Sequence, residues 1–189
     1  MNASFLSQKF AAALPYDQYV LTGTEEQQRR WKQVYDVAKT TPAQQQLLGG
    51  FTREMHVLVV SGIWCGDCVQ QCPLQQRIAE GNPGKIHLRI CDRDQNRDLA
   101  EMIRINAGDR VPVAIFMAED FEPCSVYGDR SIHRYRAMAM KQLGAACPIG
   151  LAAPDQDEVA ATLADWAVEF ERVQLMLRLS GRLRKKHGD

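Results

Sequence analysis

The sequence predicts an α/β fold: a central mixed sheet flanked by helices, with helices added before it and a long helix after it. Three observations lead there. Strand formers Val57-Leu58-Val59-Val60 run into Trp64-Cys65-Gly66-Asp67-Cys68 and then a helical stretch, and a second apolar strand, Ile86 to Cys91, completes a βαβ unit with parallel strands. Two further strand-like stretches, 110–117 and 123–127, are separated only by a short turn at Glu119-Asp120, which makes them antiparallel. Finally, an apolar residue recurs every three or four positions from Val159 to Leu177. The chain reads as one domain over 1–189, with an N-terminal helical extension (1–54), a core (55–128) and a C-terminal helical extension (129–189).

Taken in order, residues 1–23 show no sustained period and are expected to drape over the surface. Thr24-Glu25-Glu26-Gln27 reads as a capping box opening a helix to about Lys39, with Trp31, Val34, Tyr35 and Ala38 on one face. Thr41-Pro42-Ala43-Gln44 repeats the signal with proline at the first helical position, and Gly49-Gly50 ends that short helix. Met55 to Ser61 is apolar on both faces, as a central covered strand should be. The helix after the cysteine pair is predicted from about Val69 to Glu80, bent by the interior Pro73 and closed by Gly81-Asn82-Pro83-Gly84. Asp98 to Asn106 reads as helical, with Leu99, Met102, Ile103 and Ile105 inward. The strand from Arg110 to Met117 carries Pro112 near its start, where a missing N–H does not break a ladder. Residues 129–143 look helical and 144–154 form a loop of small residues. The last long helix is predicted to start at Asp155 and run ~25 residues, ~38 Å. Its stripe of Val159, Leu163, Trp166, Phe170, Val173 and Leu177 is expected to pack on its own domain rather than pair with another chain. The basic end, Arg182 to Lys186 with His187, is expected to be a solvated tail.

Composition narrows the function. The 23 basic residues balance 23 acidic ones, so nothing in the bulk charge favours nucleic acid or membrane as a partner. No apolar run approaches the roughly 18 residues of a membrane span. The apolar run Phe10 to Leu14 is too short for a secretory signal, so a cytoplasmic location is expected. Six cysteines in such a chain are not a disulfide framework. Cys91 and Cys124 read as core, Cys147 as a loop residue with no assigned role, and Cys65, Cys68 and Cys72 as a cluster.

Two cysteines two residues apart, at a strand-to-helix turn, suggest redox chemistry. Unpaired N–H groups and the positive end of the helix dipole favour a thiolate there. The thiolate is the nucleophile of disulfide exchange, and a second thiol on the first helical turn can reach the first sulfur. A metal site competes with this reading. Cys65, Cys68 and Cys72-Pro73 mimic part of a ferredoxin run, but Gly62 stands where that run has another cysteine. Zinc needs a fourth ligand, and His56, His87, His133 and His187 are too dispersed to supply it. No metal and no cofactor is therefore expected, and His56 and His87 are read as structural. Cys72 is read as a buried helix residue, with a third redox thiol exchanging with Cys68 as the alternative.

From about Met55 to Gly128 the chain resembles thioredoxin. The resemblance rests on Trp64-Cys65-Gly66-Asp67-Cys68, on Pro73 five residues beyond, on Val111-Pro112, and on Arg93-Asp94-Gln95-Asn96 after the second strand. Within that superfamily it is similar to a bacterial thioredoxin-like group carrying the same five-residue motif. The resemblance implies a thioredoxin-like fold and a thiol-disulfide oxidoreductase that reduces protein disulfides. Cys65 would attack and Cys68 resolve, with Trp64, Gly66, Asp67, Val111 and a cis Pro112 contacting the substrate. The implied partners are a disulfide-containing protein and a recycling thiol reductase, with no nucleic acid and no membrane, the protein being a monomer or weak homodimer. Two departures carry expectations. Asp67 replaces the family's proline, and its carboxylate should oppose thiolate formation, raising Cys65 above the roughly 7 usual for thioredoxin. Val59 replaces a buried aspartate, so the Cys68 proton must leave through water or another group, Asp67 being nearest. The alternatives are a thioredoxin-fold binding module acting through its helical extensions, or a cysteine-ligated metal carrier.

Overall fold

A buried strand, β1 (Met55–Ser61), is the centre of the molecule. In the computed structural model, which describes residues 1–143 and 157–189, β1 lies between β2 (Ile86–Asp92) and β3 (Val113–Ala118), with β4 (Pro123–Gly128) outside β3. β1 pairs parallel with β2, setting Val59 opposite Ile90 and Ser61 opposite Asp92. It pairs antiparallel with β3, Val59 facing Ala114, and β3 pairs antiparallel with β4. The mixed sheet is thus the one expected. Every residue of β1 except His56 is buried, as a strand with neighbours on both sides and cover on both faces requires.

The N-terminal residues do not drape over the surface. They form α1 (Ala3–Ala12) and α2 (Tyr16–Val20), with Asn2 capping α1 through a 3.0 Å bond from the Phe5 N–H. Leu6, Phe10, Tyr16 and Tyr19 are buried, the Leu6 and Phe10 side chains each contributing roughly 1.5–3 kcal/mol. Leu14 and Ile90 exchange backbone hydrogen bonds of 2.9 and 2.8 Å, so the α1–α2 junction covers the free edge of β2. The break at Pro15 hides this from a periodicity search, because neither helix alone is long enough to show a stripe.

α3 (Glu25–Val37) and α4 (Pro42–Gly49) start at the two expected capping boxes, both reciprocal. Trp31 of α3 is fully buried against Tyr16 and Tyr19, ring centroids 6.0 and 5.6 Å away. α5 (Gly66–Glu80) packs between α3 and the long α8 (Glu158–Leu179). α5 begins at Gly66, three residues before the expected Val69, because Cys65 is its N-cap. α8 docks its stripe on its own sheet: Leu163, Trp166, Phe170, Val173 and Leu177 are buried. Phe170 meets Phe116 edge-on at 5.0 Å, and Trp166 meets Tyr127 likewise at 5.0 Å. Its N-cap is Asp157. The expected loop 144–154, Cys147 and the expected helix start at Asp155 lie outside the described residues.

Other boundaries also move. α6 (Arg97–Met102) stops short of Asn106, because Asn106 and Ala107 adopt φ of 48° and 58° in a turn closed by Ile105 and Gly108. β3 begins at Val113, after Pro112, which has no N–H for the ladder. α7 (Ile132–Leu143) follows β4. The basic end is not a solvated tail. Ser180 restarts the chain as α9 (Gly181–His187), Leu183 is buried, and Lys186, His187 and Arg182 pair with Glu119 and Asp120 of the β3–β4 turn. Cys91 is buried, whereas Cys124 is half-buried at the core margin. His56 stacks on Phe121 at 4.2 Å and lies 5.2 Å from His87, with which it is in register.

Candidate functional site

The chain leaves β1 at Ser61 and turns within four residues into α5. The turn is closed by the Cys65 N–H donating to the Gly62 carbonyl at 2.9 Å. A Cβ at Gly62 would stand 2.9 Å from the Trp64 indole, so a larger residue here would push that ring aside. From α3, the Trp31 indole N–H donates to the Ile63 carbonyl at 3.1 Å and fixes the turn from behind. Trp64 itself is half exposed, with the Arg93 guanidinium 4.8 Å above its ring. Gly66 is exposed and a Cβ there would meet nothing, so the surface beside the sulfurs is open. Next to Trp64 is a cleft of about 430 Å³ lined by Tyr19, Ile63, Asp92 and Asp94 among others.

Cys65 sits at the N-cap of α5 without capping it, and its sulfur is half-buried. The thiol donates to the Val111 carbonyl at 3.6 Å, and the Val111–Pro112 peptide is cis. Cys68, on the first turn of α5, is fully buried and its sulfur accepts the Gly62 N–H at 3.4 Å. A shared hydrogen bond with Cys68 and then burial raise the Cys65 thiol above the ordinary cysteine range, opposed by the N–H groups of Cys68 and Asp67 at the helix start. Burial raises Cys68. Cys72, one turn further and fully buried, faces Cys68 and lies 3.6 Å from Ser61 Oγ. Three sulfurs therefore run inward along one face of α5. Cys91 is remote from them, and burial pushes its thiol up to about 12.

Asp67 does not behave as the sequence suggests. Its carboxylate takes the Arg130 Nη2 at 2.5 Å and the Arg134 Nε at 3.0 Å. Two guanidinium groups offset its charge, and the largest forces raising Cys65 are its hydrogen bond with Cys68 and burial. Both carboxylate oxygens are engaged by these guanidinium groups rather than by Cys68. Arg130 just precedes α7 and Arg134 lies in its first turn, and a polar network locks this segment to α5. Arg130 also holds the buried Asp129, which accepts a hydrogen bond from the Tyr135 hydroxyl. Gln71, fully buried, donates to the Asp129 carbonyl at 2.9 Å and accepts from the Ser131 N–H and the Trp166 indole. Sequence reasoning missed Gln71, Asp129, Arg130 and Arg134. The only local signal is that Asp67 and Gln71 stand one turn apart on the dithiol helix. Val59, in the middle of β1, is fully buried and apolar. Among the described residues no group of three or more His, Cys, Asp or Glu side chains is placed to hold a metal ion.

The arrangement combines a partly exposed thiol at a helix N-terminus, a buried second thiol that can reach it, and the Val111 backbone carbonyl beside the first sulfur. Comparison with known proteins agrees in fold. A protein of unknown function from Pseudomonas aeruginosa superposes with a TM-score of 0.67 at 15% identity, covering 87% of this chain and 93% of that one. An HIV epitope-scaffold protein superposes with a TM-score of 0.63 at 16% identity, covering 87% and 97%. No curated protein sequence matches the chain. A thioredoxin family model matches residues 13–142, a span that includes the N-terminal α2 as well as the dithiol and the sheet. On that match, the chain belongs to the thioredoxin family.

Proposed function

We propose that the protein is a thiol-disulfide oxidoreductase that reduces protein disulfides through Cys65 and Cys68. The observation that carries this reading is the Cys65 thiol, half-exposed at the α5 N-terminus against the Val111 carbonyl, with Cys68 buried directly behind it. In the first step the Cys65 thiolate attacks one sulfur of the substrate disulfide, a mixed disulfide forms, and the other substrate sulfur leaves as a thiolate that takes up a proton. In the second step the Cys68 thiolate attacks Cys65, the Cys65–Cys68 bond forms, and the remaining substrate thiol is released. The substrate is reduced and the dithiol oxidised. Trp64 offers a flat apolar edge for the substrate chain, Gly66 leaves the approach open, and the Val111 backbone pairs with that chain as an added strand would.

Reduction is the favoured direction. A thiol raised above its ordinary range is a poorer thiolate, which weakens the reduced state's stabilisation relative to oxidising members of such folds. A reducing compartment and a thiol reductase that recycles the pair complete the cycle. Among the described residues no helix is long and apolar enough to cross a membrane. The test is reduction of a generic protein disulfide by wild type and by Cys65→Ser, with bound metal measured anaerobically on the same sample. Turnover in wild type that the variant loses is the expected result. Equal, negligible rates in both would remove the catalytic reading.

A further inference from the structure

Arg93, the residue that follows β2, is tied to three parts of the site at once. Its backbone N–H donates to the Ser61 carbonyl at 2.8 Å, where β1 ends and the dithiol turn begins. Its guanidinium carbon lies 4.8 Å from the centre of the Trp64 ring, within the range of a cation–π contact. Its Nη1 donates to the Asp109 carbonyl at 3.2 Å. Asp109 stands two residues before Val111, whose carbonyl accepts the Cys65 thiol at 3.6 Å. Nε and Nη2 donate to Asp94 Oδ1 at 3.1 and 2.9 Å, which fixes the plane of the guanidinium fork.

The two groups that Arg93 joins are lightly held otherwise. Trp31 and Trp166 are fully buried, and each donates its indole N–H to a protein acceptor. Trp64 is 48% exposed, and its N–H has no protein partner among the described residues. Asp109 belongs to the irregular segment between α6 and β3, just past the left-handed turn at Asn106 and Ala107. Its carboxylate is held by Arg97 and Arg104, at 3.3 and 2.7 Å, while its carbonyl is held from the Trp64 side by Arg93. The Arg93 side chain is itself mostly buried, and Asp94 pairs its charge. Its place in the site is therefore geometric rather than that of a free cation.

We propose that Arg93 is the positioning residue of the substrate groove, holding the Trp64 ring and the Val111–Pro112 loop at a fixed spacing across Cys65. The inference rests on the dithiol reading, in which the chain bearing the disulfide lies between the Trp64 edge and the Val111 backbone. Arg93 acts through Trp64 and Asp109. A groove that is set before the substrate arrives spares part of the ordering cost of binding. The dependence is selective. A protein disulfide must lay its chain between both walls and needs the bridge, whereas a small disulfide that meets only the Cys65 sulfur does not.

The experiment compares two disulfides. Rapid mixing of reduced protein with dithiobis(nitrobenzoate) reads Cys65 attack on a small disulfide, and steady-state reduction of insulin with excess dithiothreitol reads a protein one. Both reactions are expected in wild type; absence of both refutes the dithiol reading and this inference with it. Arg93→Ala is expected to raise the KM for insulin roughly tenfold, with kcat and the rate of reagent attack within about twofold of wild type. Acrylamide quenching of tryptophan fluorescence follows the ring itself, because Trp31 and Trp166 are fully buried. Trp64 should quench more readily in Arg93→Ala. Arg93→Lys keeps the charge and the stem but cannot donate to Asp94 and Asp109 together, so it should recover only part of the KM. Arg97→Ala, which removes a neighbouring arginine bound to the same two aspartates, should keep the wild-type KM. An unchanged KM or unchanged quenching in Arg93→Ala overturns the bridge, as does a parallel loss of reagent attack. Full recovery in Arg93→Lys, or an equal rise in Arg97→Ala, overturns it too.

Discussion

At Asp67 the meaning of a residue depends on partners far along the chain. Beside a cysteine, a carboxylate reads as a repulsive charge. In the fold it is bound by Arg130 and Arg134, which are 63 and 67 positions away. Asp67→Asn is therefore expected to leave the Cys65 titration nearly unmoved, while loosening the start of α7. Thiolate absorbance against pH measures the first, and a fall of half a unit or more would contradict the pairing. What raises Cys65 is its neighbour Cys68 and burial. The nucleophile is the deprotonated form, so a raised thiol holds little thiolate at neutral pH and gains about tenfold per pH unit below its pKa. The rate of Cys65 attack on a small disulfide should climb across the neutral and mildly alkaline range without levelling. A plateau near pH 7 would contradict it. The dithiol and its position at a strand-to-helix turn were legible in the residues alone. The arginines around Asp67 were not, because nothing local to an arginine names its partner.

At the scale of elements, helix starts and apolar stripes were the most readable features. Thr24 and Thr41 cap their helices as the capping-box pattern predicts, because that motif is completed within four residues. The stripe of α8 reached its own sheet, and Trp166 is its anchor, packed on Tyr127 and donating to Gln71. Trp166→Ala should cost about 3–5 kcal/mol, seen as a lowered denaturation midpoint. It should also disturb the network that holds α7 on α5, whereas a loss under 1 kcal/mol would mean the stripe packs elsewhere. The elements misjudged were those whose ends depend on tertiary partners. α6 ended early at a left-handed turn, and the basic C-terminal residues became α9 because Leu183 found the core and Glu119 and Asp120 supplied counter-charges. The N-terminal helices were overlooked although Leu6, Phe10 and Ala13 are spaced by four and three; the break at Pro15 cut the pattern too short.

On the scale of the whole molecule, the N-terminal helices belong to the site as much as to the core. They close the β2 edge at Leu14–Ile90 and bury Trp31 under two tyrosines. Removing residues 1–23 should lower the melting temperature sharply and promote association through the uncovered strand edge. A truncated chain that stays monomeric with unchanged melting would show that this segment is ornamental. The sequence by itself determined the α/β order, the dithiol at the helix start, the caps and the long stripe, since each is written in residues a few positions apart and obeys local sterics and hydrogen bonding. Only the tertiary structure decided how the Asp67 charge is paired and where the first 23 residues pack. Those outcomes come from contacts between residues far apart in the chain, where burial and charge pairing act and no local pattern reports them.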